Sequence, residues 1–248
     1  MNNARRIVTT GVLGLVMACS GSSIESELLV SAAASLTDAF AEIESAFEEG
    51  NPGVDAVLNL GSSGALREQI LEGAPVDVFA SANTSNMTQV AETGGLSGEA
   101  EIFATNSLQI AVPTGNPGGV TGLEDFARDE LLIGLCAEDV PCGDLGRQAL
   151  ANAGVTPSLD TNEPDVRALL TKIEAGELDA GITYVTDVLS TSGTLDGLEI
   201  PAEVNVVAVY PIATLAGAPN PDAAAAWVEF VLSDEGQAIL TSHGFESP

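Results

Sequence analysis

"VSAAASLTDAF", Val30–Phe40, is the stretch on which the reading of this chain turns. The apolar run Leu28 to Ser31 has the length and composition of a strand. From Leu36 to Glu49, Ala39, Phe40, Ile43 and Phe47 recur at helical spacing and predict one apolar helix face. Three alanines and Ser35 lie between the two. A strand that feeds a helix through residues of so little bulk leaves the backbone bare at the turn. "NLGSSGALREQI", Asn59–Ile70, repeats the device: a strand over 56–60, then Ser62 and Ser63, then a helix over 65–71.

Working outward, the alternation continues. Strand-like runs at 76–80, 108–112, 131–135, 181–184 and 204–210 are separated by helical patterns at 143–153, 165–175, 187–192, 221–232 and 236–243. A polar helix start, "NTSNMTQVAETGGL", follows the third strand and ends at Gly94-Gly95. Such βα alternation predicts an α/β fold with a mainly parallel sheet covered by helices on both faces.

The first residues read as an address. Arg5 and Arg6 form a basic n-region, and 7–18 is an apolar run too short to span a bilayer. "VMAC", Val16–Cys19, is similar to a bacterial lipobox, which makes Cys19 the candidate for lipidation; an ordinary secretory signal with a chance cysteine is the alternative. Residues 1–18 are thus a lipoprotein signal peptide and 19–27 a short polar tether. Either way the protein is exported, and with the anchor at Cys19 it is a cell-envelope lipoprotein, periplasmic or on the outer face of the cytoplasmic membrane. Without Arg5 and Arg6 the chain keeps 5 basic residues against 36 acidic ones, a net charge near −31. That excludes nucleic acid as a partner and reads as a solvated surface suited to a saline habitat. Cys136 and Cys142, six apart in a compartment that permits disulfides, read as a structural bridge. Cation ligation is poorly served, because His243 is the only histidine.

Four strand-to-helix turns share one chemistry: 33–35, 61–64, 140–143 and 163–166. Each is rich in small residues, prolines or capping groups. A helix N-terminus leaves its first N–H groups unpaired and carries partial positive charge, so several such ends aimed at one point would bind an anion. Each turn taken alone is equally explained by a residue capping its own helix. Arg67 and Arg167 lie within a turn of the candidate donors, yet pairing with surplus carboxylates accounts for both. Neutral donors suit a fully ionised oxyanion; a protonated phosphate would want a carboxylate acceptor, for which only Glu163 or Asp165 offers itself. Catalytic signatures are scarce. "GSSGA" at 61–65 is not a nucleophile elbow, no phosphate-binding P-loop follows a glycine, and a single histidine near the C-terminus does not make a triad. A secreted hydrolase using Ser35 or Ser63 is a remote alternative, and a plain surface interaction module rests on the acidic surface alone.

The blocks "SAAASLTDAF", "GSSGALREQILEGAPVDVFASA", "VPCGDLGRQAL", "PDVRALLTKIEAGELDAGITYVTD" and "SDEGQAILTSHGF" together resemble the molybdate-binding protein family of bacterial ABC importers. The resemblance covers essentially the whole chain after the signal. It implies a type II periplasmic binding protein, two α/β lobes with a ligand cleft between them: 28–106 with 210–248 as lobe I, and 107–209 as lobe II. It implies a monomer that is no enzyme and needs no cofactor, and that delivers molybdate or tungstate to the permease of an ABC importer. A membrane contact is expected only through the anchor at Cys19. The ligand-binding positions implied are Ser35, Ser63, Cys142, Val166 and Tyr184, with Cys142 standing where the family carries alanine; Tyr184 also has a reading as a core residue. No metal cation is called for, since molybdate is held through its oxygens. Sulfate or another tetrahedral oxyanion is the alternative ligand.

Overall fold

The computed structural model describes residues 26–248; the expected signal peptide, Cys19 and most of the tether lie outside them. Strand β1 (Ser26–Ala33) leads through a 3-10 turn at Ala34–Leu36 into α1 (Thr37–Gly50). Then follow β2 (Val54–Gly61), α2 (Ser63–Leu71), β3 (Val78–Ala80), α3 (Thr84–Glu92) and the long β4 (Glu101–Pro113). The second half of the chain forms β5 (Ile133–Cys136), α4 (Pro141–Asn152), β6 (Thr161–Glu163), α5 (Val166–Glu174), β7 (Ala180–Tyr184), α6 (Val185–Ser190) and β8 (Leu195–Glu199). It closes with β9 (Val207–Thr214), α7 (Pro221–Leu232) and α8 (Asp234–Ser242).

β1 is longer than the apolar pattern suggests. Ser26 and Glu27, expected in the tether, pair with Val54 and Asp55 of β2. Backbone hydrogen bonds need no apolar side chain, so periodicity misses such ends. The expected α/β alternation is present, but the sheet is mixed and not mainly parallel. Its order is β2-β1-β3-β9-β4-β7-β5-β6, with β8 attached to β4. Parallel pairing joins β1 to β2 and β3, and β5 to β6 and β7. At the centre, β4 and β9 run antiparallel to their neighbours. Residues 101–107 of β4 pair with β9, while 108–113 pair with β7 and β8. One strand therefore belongs to two strand groups, and β4 and β9 are the two strands along which the groups meet.

The predicted apolar face of α1 is the buried one: Ala39, Phe40, Ile43 and Phe47. Phe40 and Phe47 pack edge-on against Trp227 of α7 at 5.9 and 5.1 Å between ring centroids. Such aromatic pairs add about 0.5–1.5 kcal/mol each beyond the area they bury. This packing fixes the N-terminus of α1, and so the turn at Ser35, against the sheet. Ala32, Ala33 and Ala34 are buried, so the small residues of the opening stretch are wall, not open surface.

Candidate functional site

All four turns singled out above meet at one small cavity. It is about 10 Å³ in volume and is lined by Ala33, Ala34 and Ser35, by Ser62 and Ser63, by Val140, Pro141 and Cys142, by Asp165 and Val166, and by Ala82 and Tyr184. The structure thus brings together all five residues expected to bind ligand. Two come from the β1 strand group and three from the β5 group.

The donors differ in kind. Ser63 opens α2, and its buried hydroxyl accepts the Ala82 N–H at 3.0 Å, which leaves its own hydrogen free to donate. Ser62, not Ser63, caps the helix by accepting the Ala65 N–H at 3.3 Å. Ser35 lies in the 3-10 turn, its hydroxyl 3.0 Å from that of Tyr210 on β9. Pro141 is the first residue of α4, where a missing N–H costs nothing, and Cys142 is the second. Val166 is the first residue of α5. First-turn N–H groups have no intrahelical acceptor, so Cys142 and Val166 each present one at the cavity. Their side chains are buried behind it.

Cys136 and Cys142 are joined by a disulfide, as expected. The bridge ties the end of β5 to the start of α4. Gly143 completes this corner, since a Cβ there would lie 1.9 Å from the Ala137 carbonyl oxygen. The corner is therefore closed to any larger residue.

Tyr184 ends β7 with its side chain buried and its hydroxyl bonded to nothing among the described residues. An unpartnered buried hydroxyl costs about 1–3 kcal/mol. Its position on the cavity wall supplies a reason to tolerate that. Burial, with Tyr210 and Asp187 nearby, pushes its pKa well above the ordinary phenol value, so it is a donor across the physiological range. Asp187 accepts the Tyr184 N–H at 2.9 Å and holds the residue at the start of α6. Burial raises the Asp187 carboxyl to about 7.

The two carboxylates that could have served a protonated ligand each have a partner of their own, although Asp165 also lines the cavity. Asp165 caps α5 by accepting the Ala168 N–H at 2.9 Å. Glu163 is paired with the Lys172 ammonium at 2.6 Å and accepts the Thr161 hydroxyl at 2.6 Å. Burial works against its charge, but these two partners hold its carboxyl below the usual range. Neither serine is bonded to a basic group: Ser35 meets a phenol and Ser63 a backbone amide. Among the described residues no group of three or more His, Cys, Asp or Glu side chains could hold a metal ion. Arg67 bonds to Asn86 and Glu68, in line with its expected pairing role. Tyr210 and Ala82 escaped the sequence reading because each acts on a residue distant in the chain, whereas Asp187 lies three residues from Tyr184 and was simply not singled out.

A mixed α/β sheet in two groups, joined through the shared strand β4 and with helix N-termini gathered on a cavity between them, is the architecture of periplasmic binding proteins. The family model described as bacterial extracellular solute-binding protein matches residues 28–246. The chain belongs to that family. It is 37% identical over 221 residues to the molybdate-binding protein ModA of Mycobacterium tuberculosis (strain ATCC 25618 / H37Rv), covering 89% of this chain and 85% of that one. Its fold is like that of the Azotobacter vinelandii periplasmic molybdate-binding protein, with a TM-score of 0.80 at 20% identity, covering 89% of this chain and 99% of the other. The sulfate-binding protein SubI of Mycobacterium tuberculosis H37Rv superposes as well, with a TM-score of 0.81 at 16% identity over 90% of this chain and 87% of that one. Fold alone therefore does not choose between these ligands.

Proposed function

We propose that this protein is a non-catalytic receptor that binds molybdate or tungstate outside the cytoplasm and hands it to an ABC importer. The convergence of Ser35, Ser63, Cys142, Val166 and Tyr184 on one cavity carries the reading. Hydroxyls and backbone N–H groups donate but need not accept, which suits a fully ionised tetrahedral dianion. The pairing of Glu163 with Lys172 favours such a ligand over one that would need that carboxylate as an acceptor. Similarity to a molybdate-binding relative at 37% identity favours the larger oxyanions over sulfate. Selectivity is then a matter of size, because a cage set for the larger ion leaves donors unpaired around the smaller one, at about 1–3 kcal/mol each.

Residues 28–106 with 210–248 act as one lobe and 107–209 as the other, hinged at the crossing strands. The split of β4 pairing between residues 107 and 108 supports that division. The protein works as a monomer, as the family resemblance implies, and is held to the membrane by a lipid on Cys19, the anchor resting on "VMAC". No helix among the described residues is long and apolar enough to cross a membrane. Titration calorimetry with molybdate, tungstate, sulfate and phosphate is the direct test. Tight binding of the first two and weak binding of the others is expected; sulfate binding as tightly as molybdate would overturn the assignment.

A further inference from the structure

Arg167 stands next to Val166 but does not line the donor cavity, and its guanidinium joins the two strand groups. On its own side, Nη1 donates to the Ser190 hydroxyl at 3.2 Å, and Ser190 is held in turn by donating to the Asp187 carbonyl at 2.7 Å. Across the cleft, Nε donates to the Ala34 carbonyl at 3.4 Å and Nη2 pairs with the Asp38 carboxylate. Ala34 precedes Ser35, and Asp38 lies in the first turn of α1. One side chain thus grips the turn that supplies one donor from the helix that supplies another. The remaining arginines with ion-pair partners among the described residues, Arg67 and Arg128, pair within their own neighbourhoods.

Two observations place this grip at the closed cleft. Ser35 lines both the donor cavity and an adjoining polar cavity of about 260 Å³ that Arg167 and Asp38 also line. At α2, Gly64 lies so near the β5 group that a Cβ would be 2.9 Å from the Asp139 carbonyl oxygen. The groups touch at both places, and Arg167 supplies the polar half of that contact.

We infer that Arg167 and Asp38 form a clasp that retains the bound oxyanion by holding the cleft shut, Arg167 being a positioning residue and not a ligand. The inference rests on the functional reading above. Because a contact formed after encounter resists opening, its loss falls on the dissociation rate. Both side chains are partly exposed, with 31% and 46% of their surface accessible, so the effect is modest.

Release of isotopically labelled molybdate into an excess of unlabelled ion measures it. Arg167→Gln and Asp38→Asn should each speed release about fivefold with little change in the association rate, and the double variant should be no faster than either single one. Arg128→Gln, which breaks an ion pair within one group, should leave release unchanged. Effects that multiply in the double variant, or that fall on association, would overturn the clasp. If the unaltered protein retains no molybdate, tungstate or sulfate, the functional reading fails, and small-angle scattering then decides the clasp. A larger radius of gyration for Arg167→Gln than for the unaltered protein supports it, and equal radii overturn it.

Discussion

The two sides of the cavity solve one chemical problem by different means. The β1 group offers serine hydroxyls from Ser35 and Ser63, each oriented by a partner distant in sequence, Tyr210 and Ala82. The β5 group offers backbone N–H groups from Cys142 and Val166, oriented by helix starts, a disulfide and a glycine corner. Hydroxyls can be removed one atom at a time and depend on their neighbours. Backbone donors are indifferent to the side chain they carry, which explains how Cys142 can stand where the resembled family carries alanine. The first side should therefore be sensitive to substitution and the second nearly silent, unless the N–H itself is removed.

Replacing both serines tests the contrast hardest. Hydrogen bonds to a charged partner contribute about 1.5–3 kcal/mol each, so Ser35→Ala with Ser63→Ala should lower molybdate affinity by two orders of magnitude or more in calorimetry. Unchanged affinity would remove the site. On the other side, Cys136→Ser with Cys142→Ser opens a short loop and should cost about 2 kcal/mol of stability in denaturant titration. Affinity should shift by less than about threefold, because the N–H of residue 142 survives. A larger loss would mean that the bridge sets the donor's position and not merely the stability of the corner.

Val166 allows the sharper comparison. Proline is at home in the first position of a helix, and the extended backbone of Asp165 before it is compatible with proline. Val166→Pro should keep the fold while deleting one N–H, lowering affinity about tenfold, whereas Val166→Ala should stay close to the unaltered value. Equal behaviour of the two would break the account of the β5 side. Tyr184, a side-chain donor on the backbone side, should give the smallest effect on stability and an unusual pair of signs. Tyr184→Phe removes a buried hydroxyl bonded to nothing. The ligand-free protein should be slightly more stable, by about 1 kcal/mol or less in denaturant titration, while molybdate binds more weakly. Unchanged affinity would return Tyr184 to the core.

Much of this was legible before any coordinates. The apolar face of α1, the βα alternation, the four bare turns and the Cys136–Cys142 bridge all followed from local spacing and composition. The short strands β6 and β8 were not legible, nor was the reach of β4 back to Glu101. Their pairing is made by backbone bonds to strands far along the chain, and their burial patterns are broken by exposed residues. The same reason hid the antiparallel centre of the sheet. Parallel and antiparallel neighbours demand similar side chains, and direction is decided by where the chain returns.

What the sequence determined by itself is the set of donors: small residues and hydroxyls where strands become helices, helix starts without bulk, and no surplus of positive charge to assist them. Only the tertiary structure decided that these donors face one another. Convergence depends on β4 pairing in both strand groups, on Tyr210 and Ala82 reaching Ser35 and Ser63, 175 and 19 positions away, and on Asp187 holding Tyr184 at the start of its helix. Local chemistry is written in neighbouring residues, whereas a cavity is a relation between distant ones.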